Sequence, residues 1–365
     1  MHTEIDLLVR ASDPFADGVN LRTDVEERDW GLFLDSAFRH RVAALAGRAL
    51  AAAQTFEPES RHEYVQDALL AAYALNSRRN RVLIEETARL TERLRAAGIA
   101  VAVRKGAFLA PVVYRDLGLR PMNDIDLFVD RSAAKDVAAV LADDGYAPGV
   151  VDRAGRITRL SRRQEIFWSV HTNNLPTLLR AHDDPLQPTL AVDVCFNLFL
   201  PASGCDIPAE RLMVDLTTHE VQGTTISAFR PEYFLLDVSA HLYKESTTLR
   251  YIEKGKHQRL LQYIDIVALV RRHPGLRWDL LLEIAREAGA GRNLYYALAG
   301  AEALFPGAIP AEVLQALARE GGVDAEFLWQ YGGIDLLQPL RWSAQTVIER
   351  LFSYERPQAR SQSPV

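Results

Sequence analysis

The chain is predicted to be an α+β protein in which a mixed β-sheet core, about residues 96–230, is flanked by helical N-terminal and C-terminal regions. Two observations predict it. Apolar residues recur at helical spacing in long stretches on both sides, and the block between them breaks into short β-rich runs. Its 365 residues, 48% hydrophobic and 25% charged, have the composition of an ordinary globular protein, and at roughly 150 residues per domain they suffice for two or three cores.

From about Asp29 to Gly98 the sequence is rich in Ala, Leu, Arg and Glu. Val65, Leu69, Ala72 and Leu75, then Leu83, Leu90 and Leu94, repeat with the period of a helix. Pro58 marks a break before the stretch 61–97, and Gly98 is a C-terminal stop. Residues 1–95 contain no catalytic cluster and are expected to pack on the sheet as one wall of a cleft. In the centre, strands are expected at 99–103, 124–129, 166–171 and 190–199, with a weaker one at 223–229. Helices are expected at 106–117 and 131–143, and a hairpin turning at Gly155 spans 149–160. From Pro231 the helical period returns, with Phe234, Leu235, Val238 and Leu242 on one face and Leu260, Leu261, Ile264 and Val267 on another. This gives a helical C-terminal domain over 231–354, in which Trp278-Asp279 reads as a helix start. Residues 355–365 lack an apolar period and are expected to form a flexible tail.

The chemistry concentrates at Asp124-Ile125-Asp126. Residues two apart on a strand share a face, so both carboxylates project together while Ile125 and Leu127 face the core. Two close carboxylates repel, and a hard cation such as Mg²⁺ relieves the repulsion. A strand with a wet polar face is the bland alternative. Upstream, the run 99–103 ends at Lys105-Gly106, a turn that can offer backbone N–H groups, a close backbone approach and one positive charge to a polyphosphate. Arg120 lies before Pro121 in the loop leading to the acidic strand, placed either to grip phosphate with two hydrogen bonds or as a surface arginine.

Taken together, Lys105-Gly106, Tyr114, Arg120-Pro121-Met122 and Asp124-Ile-Asp126-Leu-Phe-Val resemble the bacterial putative nucleotidyltransferase family of the DNA polymerase β-like nucleotidyltransferase superfamily. Leu190-Ala-Val-Asp193-Val-Cys-Phe resembles that family's third-carboxylate strand. Pro231-Glu-Tyr-Phe-Leu-Leu, His241-Leu-Tyr-Lys244, Arg259 to Asp265 and Trp278-Asp279 resemble its helical C-terminal part, so the likeness covers about 95–305. The resemblance implies a nucleotidyltransferase-type mixed sheet and a two-metal site on Asp124, Asp126 and Asp193, with Mg²⁺ bound and Mn²⁺ as the substitute. The first two carboxylates hold the nucleotide-bound metal, and Asp193 with Asp126 holds the one that activates the attacking hydroxyl, or Asp193 acts as the base. Lys105, Gly106, Arg120, Asn123 and Lys244 are the implied nucleotide contacts. His241 shares a helix face with Lys244, and His171 ends an apolar run expected to pair with the Asp193 strand. Both are candidate substrate contacts, as is Asp265, whose other reading is to orient a basic partner. Two departures stand out. Ala107 follows Gly106 where the superfamily has Gly or Ser, so a phosphate-binding hydroxyl is missing, and position 123 is Asn where relatives often have Ser.

The implied reaction moves an NMP, AMP from ATP first, to a hydroxyl on a small metabolite or natural-product intermediate and releases pyrophosphate. A protein-directed transferase of toxin–antitoxin type and a catalytically silent nucleotide- or partner-binding module are the alternatives. The missing hydroxyl favours the silent module, and three retained carboxylates argue against it. A net charge of −6 disfavours a nucleic-acid partner. Cys195 and Cys205 have no metal-ligand spacing and read as reduced thiols. No apolar stretch approaches 18 residues and the start at Met1-His-Thr-Glu-Ile-Asp has no signal pattern, so a cytoplasmic protein without a membrane partner is expected.

Overall fold

The computed structural model describes residues 3–15, 21, 25–57, 59–152, 154–201, 203–257 and 259–353, leaving aside the side chains of 167 and 169–171. Pro58 and the tail 355–365 lie outside these residues. Eight strands form one mixed sheet: β1 Ala102–Val103, β2 Ile125–Phe128, β3 Ala147–Val151, β4 Ile157–Arg159, β5 Leu178–Ala181, β6 Thr189–Cys195, β7 Thr217–Val221 and β8 Thr224–Ala228. Their spatial order is β4-β3-β5-β6-β2-β1-β8-β7.

The centre of the sheet sets the site. β2 runs parallel to β6 with Ile125 opposite Val192 and Asp126 opposite Asp193. Opposite residues in paired strands project to the same face, so this register sets Asp126 beside Asp193. Ile125, Leu127, Val192 and Val194 fill the core. All four residues of β2 are buried, whereas β6 alternates half-buried and buried positions. β1 flanks β2 antiparallel, with Ala102 opposite Phe128, and the Arg104 N–H donates to the Asp126 carbonyl at 2.9 Å. Lys105 therefore emerges beside the acidic strand.

Two local expectations are corrected, and one strand is added. The run 166–171 is the end of a helix, Arg162–His171, and not a strand. Ser161 and Gln164 form a capping box, which starts the helix and outweighs the β-rich composition of 166–170. Asp193's antiparallel neighbour is instead β5, whose four residues make a weak sequence signal. The helix expected over 106–117 is short: Lys105–Phe108 gives way to a wider π-type turn, Leu109–Tyr114, which ends at Arg115 with φ 57°. Pro111 lies inside that turn and cannot donate to a regular helix. β7 was also not expected, since Thr217-Thr-His-Glu-Val221 is mostly polar. It pairs with β8 across Gln222-Gly223, both at positive φ (50° and 77°), the two-residue turn that suits a hairpin. The β3/β4 hairpin and the helix Ala134–Asp143 form as expected.

Helices Thr3–Ala11, Trp30–Arg39, Ala43–Ala52 and Glu63–Ala96 make up the N-terminal region. The last, 34 residues long, carries Val65, Leu69, Leu83, Leu90 and Leu94 into the core. Its buried Asn80 holds the loop that delivers the chain to Asp124. The Asn80 Nδ2 donates to the carbonyls of Leu117 (2.6 Å) and Arg120 (2.7 Å), while its Oδ1 accepts from Met122 N–H (3.2 Å). Gly118 in that loop lies against Tyr73, where a Cβ would sit 2.3 Å from the ring. On the other side, Asp237 of helix Pro231–Thr247 accepts from Arg104 Nε at 2.9 Å, a buried pair that ties the end of β1 to the C-terminal helices. Helices Leu260–Arg272, Trp278–Glu287, Gly291–Leu304 and Ala311–Gly321 follow, and a small ribbon, β9 Gln330–Tyr331 with β10 Leu340–Arg341, packs near their end. Among the described residues no helix is long and apolar enough to cross a membrane.

Asn80→Ala strips partners from buried backbone groups and should lower the unfolding free energy by about 2 kcal/mol in urea titration. A surface control such as Arg81→Ala should stay within about 0.5 kcal/mol of wild type.

Candidate nucleotide site

The ends of β1, β2 and β6 open into a cleft of about 440 Å³ walled by helix Pro231–Thr247, the segment 250–265 and the N-terminal region through Arg41. Asp124, Asp126 and Asp193 converge in it. Lys105 Nζ lies 2.5 Å from Asp126 Oδ1, and Thr177 Oγ1 donates to Asp193 Oδ1 at 2.7 Å. Lys105 reaches in from backbone at φ 41°, a left-handed conformation a lysine rarely adopts.

The carboxylates differ in how well their charge is balanced. Burial alone would raise Asp126, but Lys105 and Arg104 hold it below the usual carboxylate range. Burial, then the charges of Asp126 and Asp193, push Asp124 up to about 7. Burial and Asp126 raise Asp193 as well, against the Thr177 hydrogen bond. Lys105 acts on all three acids, with Arg41 beside it on Asp124 and Arg104 on Asp126, and the balance still leaves Asp124 and Asp193 raised. Oxygen-only donors carrying excess negative charge fit a hard divalent cation such as Mg²⁺ or Mn²⁺. Among the described residues no three His, Cys, Asp or Glu side chains close into a coordinating cage. Lys105 is seated on Asp126 Oδ1, so ammonium and cation would share that carboxylate.

The nucleotide contacts expected from the sequence lie in this cleft, with different surroundings. Arg120 turns its guanidinium to Asp265, Nε and Nη2 each donating at 2.8 Å, and Tyr114 donates to the same carboxylate at 2.9 Å. That bidentate pair fixes the acidic loop to helix Leu260–Arg272. Gly106 is also crowded from the protein side: a Cβ there would meet Arg120 Nη1 at 2.8 Å and Met122 Cγ at 2.9 Å. Ala107 is buried in the core, so the missing hydroxyl stands at a position facing away from solvent. Asn123 is exposed and accepts from Arg41 Nη2 at 3.0 Å.

Lys244 and His241 line the cleft from one helix face. Burial, then Lys105, lowers Lys244 to about 8, and its ammonium lies 5.7 Å from the centre of the Tyr251 ring. Burial and the neighbouring cations keep His241 neutral, well below the usual imidazole range, with Nε2 3.6 Å from Glu245. His171 ends the helix Arg162–His171, and its side chain lies outside the described ones. The sequence reading missed Arg41. It sits at φ 62° after helix Trp30–Arg39, lowered to about 10 by burial and by Arg120 and Arg259. Nothing in its sequence neighbourhood marks it; only the packing of the N-terminal region brings it to Asp124.

A raised carboxyl pKa means that ionising Asp124 costs the folded state, and the cost grows as pH climbs from about 4 to about 7. Asp124→Asn should therefore raise the unfolding temperature at pH 8 in EDTA by about 2 °C or more, and the gain should shrink toward pH 4 when followed by calorimetry.

The sequence profile of the uncharacterised nucleotidyltransferase family matches residues 26–306. No curated protein matches the chain. Among solved structures, that of an antigenic nucleotidyltransferase-like protein from Paracoccidioides brasiliensis is 15% identical, with a TM-score of 0.36 over 64% of this chain and 91% of that one. With more than half of its length matched, spanning both the acidic strands and the helices that wall the cleft, this chain belongs to the uncharacterised nucleotidyltransferase family.

Proposed function

We propose that the protein transfers a nucleoside monophosphate, AMP from ATP as the first candidate, to a hydroxyl acceptor. The convergence of Asp124, Asp126 and Asp193 under the charge of Lys105 carries this reading. A hard divalent cation, Mg²⁺ or Mn²⁺, drawn to these carboxylates together with the nucleotide phosphates would neutralise charge at the α-phosphorus and acidify the acceptor hydroxyl. Lys105 and Lys244 bind the phosphates as point charges, and Arg41, held by Asn123, closes the site from the N-terminal side. Asp193, opposite Asp126 on β6, takes the acceptor proton in this reading. The acceptor oxygen bonds to the α-phosphorus, the bond from that phosphorus to the bridging oxygen breaks, and pyrophosphate leaves with the bonding pair.

Arg104, Arg120 and Asp265 are positioning residues in this scheme. Arg104 holds Lys105 and β1 against helix Pro231–Thr247, and Arg120 holds the acidic loop through Asp265. A silent nucleotide-binding module is supported by one observation, the Lys105 ammonium seated on Asp126. The two readings separate on turnover.

Pyrophosphate release from each of the four NTPs with Mg²⁺, in the presence of a pooled metabolite and protein extract, should depend on Asp126. Asp126→Asn should lower it by at least about a thousandfold without loss of the folded state. Nucleotide binding with no pyrophosphate from wild type would leave the module. Nucleotide affinity should fall about tenfold between pH 7.5 and pH 9 as Lys244 loses its proton near 8, since only the ammonium attracts phosphate. Lys244→Met should bind more weakly at pH 7.5 and lose that pH dependence in calorimetric titration.

A further inference from the structure

The inner cations of the cleft are held by groups of the protein itself. Arg104 pairs with Asp237, Lys105 with Asp126, Arg120 with Asp265, and Arg41 hydrogen-bonds Asn123. A second set, Arg250, Lys254, Lys256 and Arg259, lines the same cleft from helix Leu249–Glu253 and the segment that joins it to helix Leu260–Arg272. Arg250, Lys254 and Lys256 are exposed, and among the described residues none of the three makes an ion pair.

This lip is anchored. His257 stacks on Trp342 with ring centres 5.4 Å apart and planes 19° apart, and Trp342 packs on Tyr331 of β9 at 4.8 Å. At the other end the Leu249 N–H donates to Asp335 at 2.8 Å, and the Gly332 N–H donates to the Thr247 carbonyl at 2.5 Å. Tyr251 links the lip to the interior of the cleft, since its ring lies 5.7 Å from the Lys244 ammonium and lines the same cavity.

Among the described residues nine lysines and arginines and five acidic side chains line the cleft of a chain whose net charge is −6. Concentrating like charge in one concavity is costly and draws anions. A nucleoside triphosphate seated at the three acids meets the half-buried Lys105, Lys244 and Arg41 first, whereas Arg250, Lys254 and Lys256 stand nearer solvent, exposed and without an ion pair among the described residues. We infer that the lip holds a phosphomonoester on the acceptor, an inference that rests on the transferase reading. Clustered ammonium and guanidinium groups suit a dianionic phosphate, with three strong acceptor oxygens, better than a single carboxylate. A phosphate held at the mouth leaves the acceptor's hydroxyl to reach inward to Asp193, and the phosphomonoester stays intact while the hydroxyl attacks.

The test uses the full-length protein loaded with Mg²⁺ and α,β-methylene-ATP, titrated with inorganic phosphate by calorimetry, with acetate as the carboxylate probe. Phosphate should bind the loaded wild type. The triple variant Arg250→Gln, Lys254→Gln, Lys256→Gln should bind it at least about tenfold more weakly, with nucleotide affinity changed less than about twofold. Acetate should bind the wild type at least about tenfold more weakly than phosphate. Phosphate that only displaces nucleotide, or a variant that loses nucleotide affinity by the same factor, would assign the lip to the donor and overturn the inference. Acetate binding as well as phosphate would overturn the phosphomonoester. If nucleotide fails to bind at all while phosphate binding still depends on the three cations, the transferase reading falls and the lip stands as an anion site.

Discussion

The parallel pairing of β2 with β6 is the constraint on which the rest of the molecule depends. By setting Asp126 opposite Asp193 it places two acids side by side at the buried end of a sheet, and Asp124, two residues from Asp126, adds a third. Such a grouping opposes folding. Lys105 answers part of it from a strained backbone, and the unbalanced remainder shows in the raised pKa of Asp124 and Asp193. Keeping this arrangement gives up folding stability to concentrate negative charge in the cleft.

Three tethers keep the acids in place, each from a different part of the chain. Asn80 pins the loop before Asp124 from the long N-terminal helix. The buried Arg104–Asp237 pair ties β1, and with it Lys105, to helix Pro231–Thr247. The Arg120–Asp265 fork joins the same loop to helix Leu260–Arg272. Buried ion pairs of this kind contribute little net stability but strongly penalise any arrangement that separates them. They act as locks on geometry, and the cleft lies where the three regions meet. The surplus positive charge at its mouth then stands out against an acidic protein and gives anions a direction of approach.

The sequence determined the acidic strand, its lysine turn and the helical flanks, because strand alternation and helical period are local properties that survive without knowledge of contacts. Asp124, Asp126 and Asp193 were legible because charge inside apolar runs is conspicuous, and the parallel register then brought the two runs together. The run 166–171 misled because β-rich composition is a weak signal beside a capping box, and β5 was too short to announce itself. Only the tertiary structure decided what Arg120 and Gly106 do, since the partner that occupies the guanidinium lies 145 residues away and the atom that crowds the glycine belongs to that guanidinium. Only it brought Arg41 to the acids and the lip of Arg250, Lys254 and Lys256 to the cleft. Those contacts join regions distant in sequence, and no local pattern encodes which distant side chain will face a given charge.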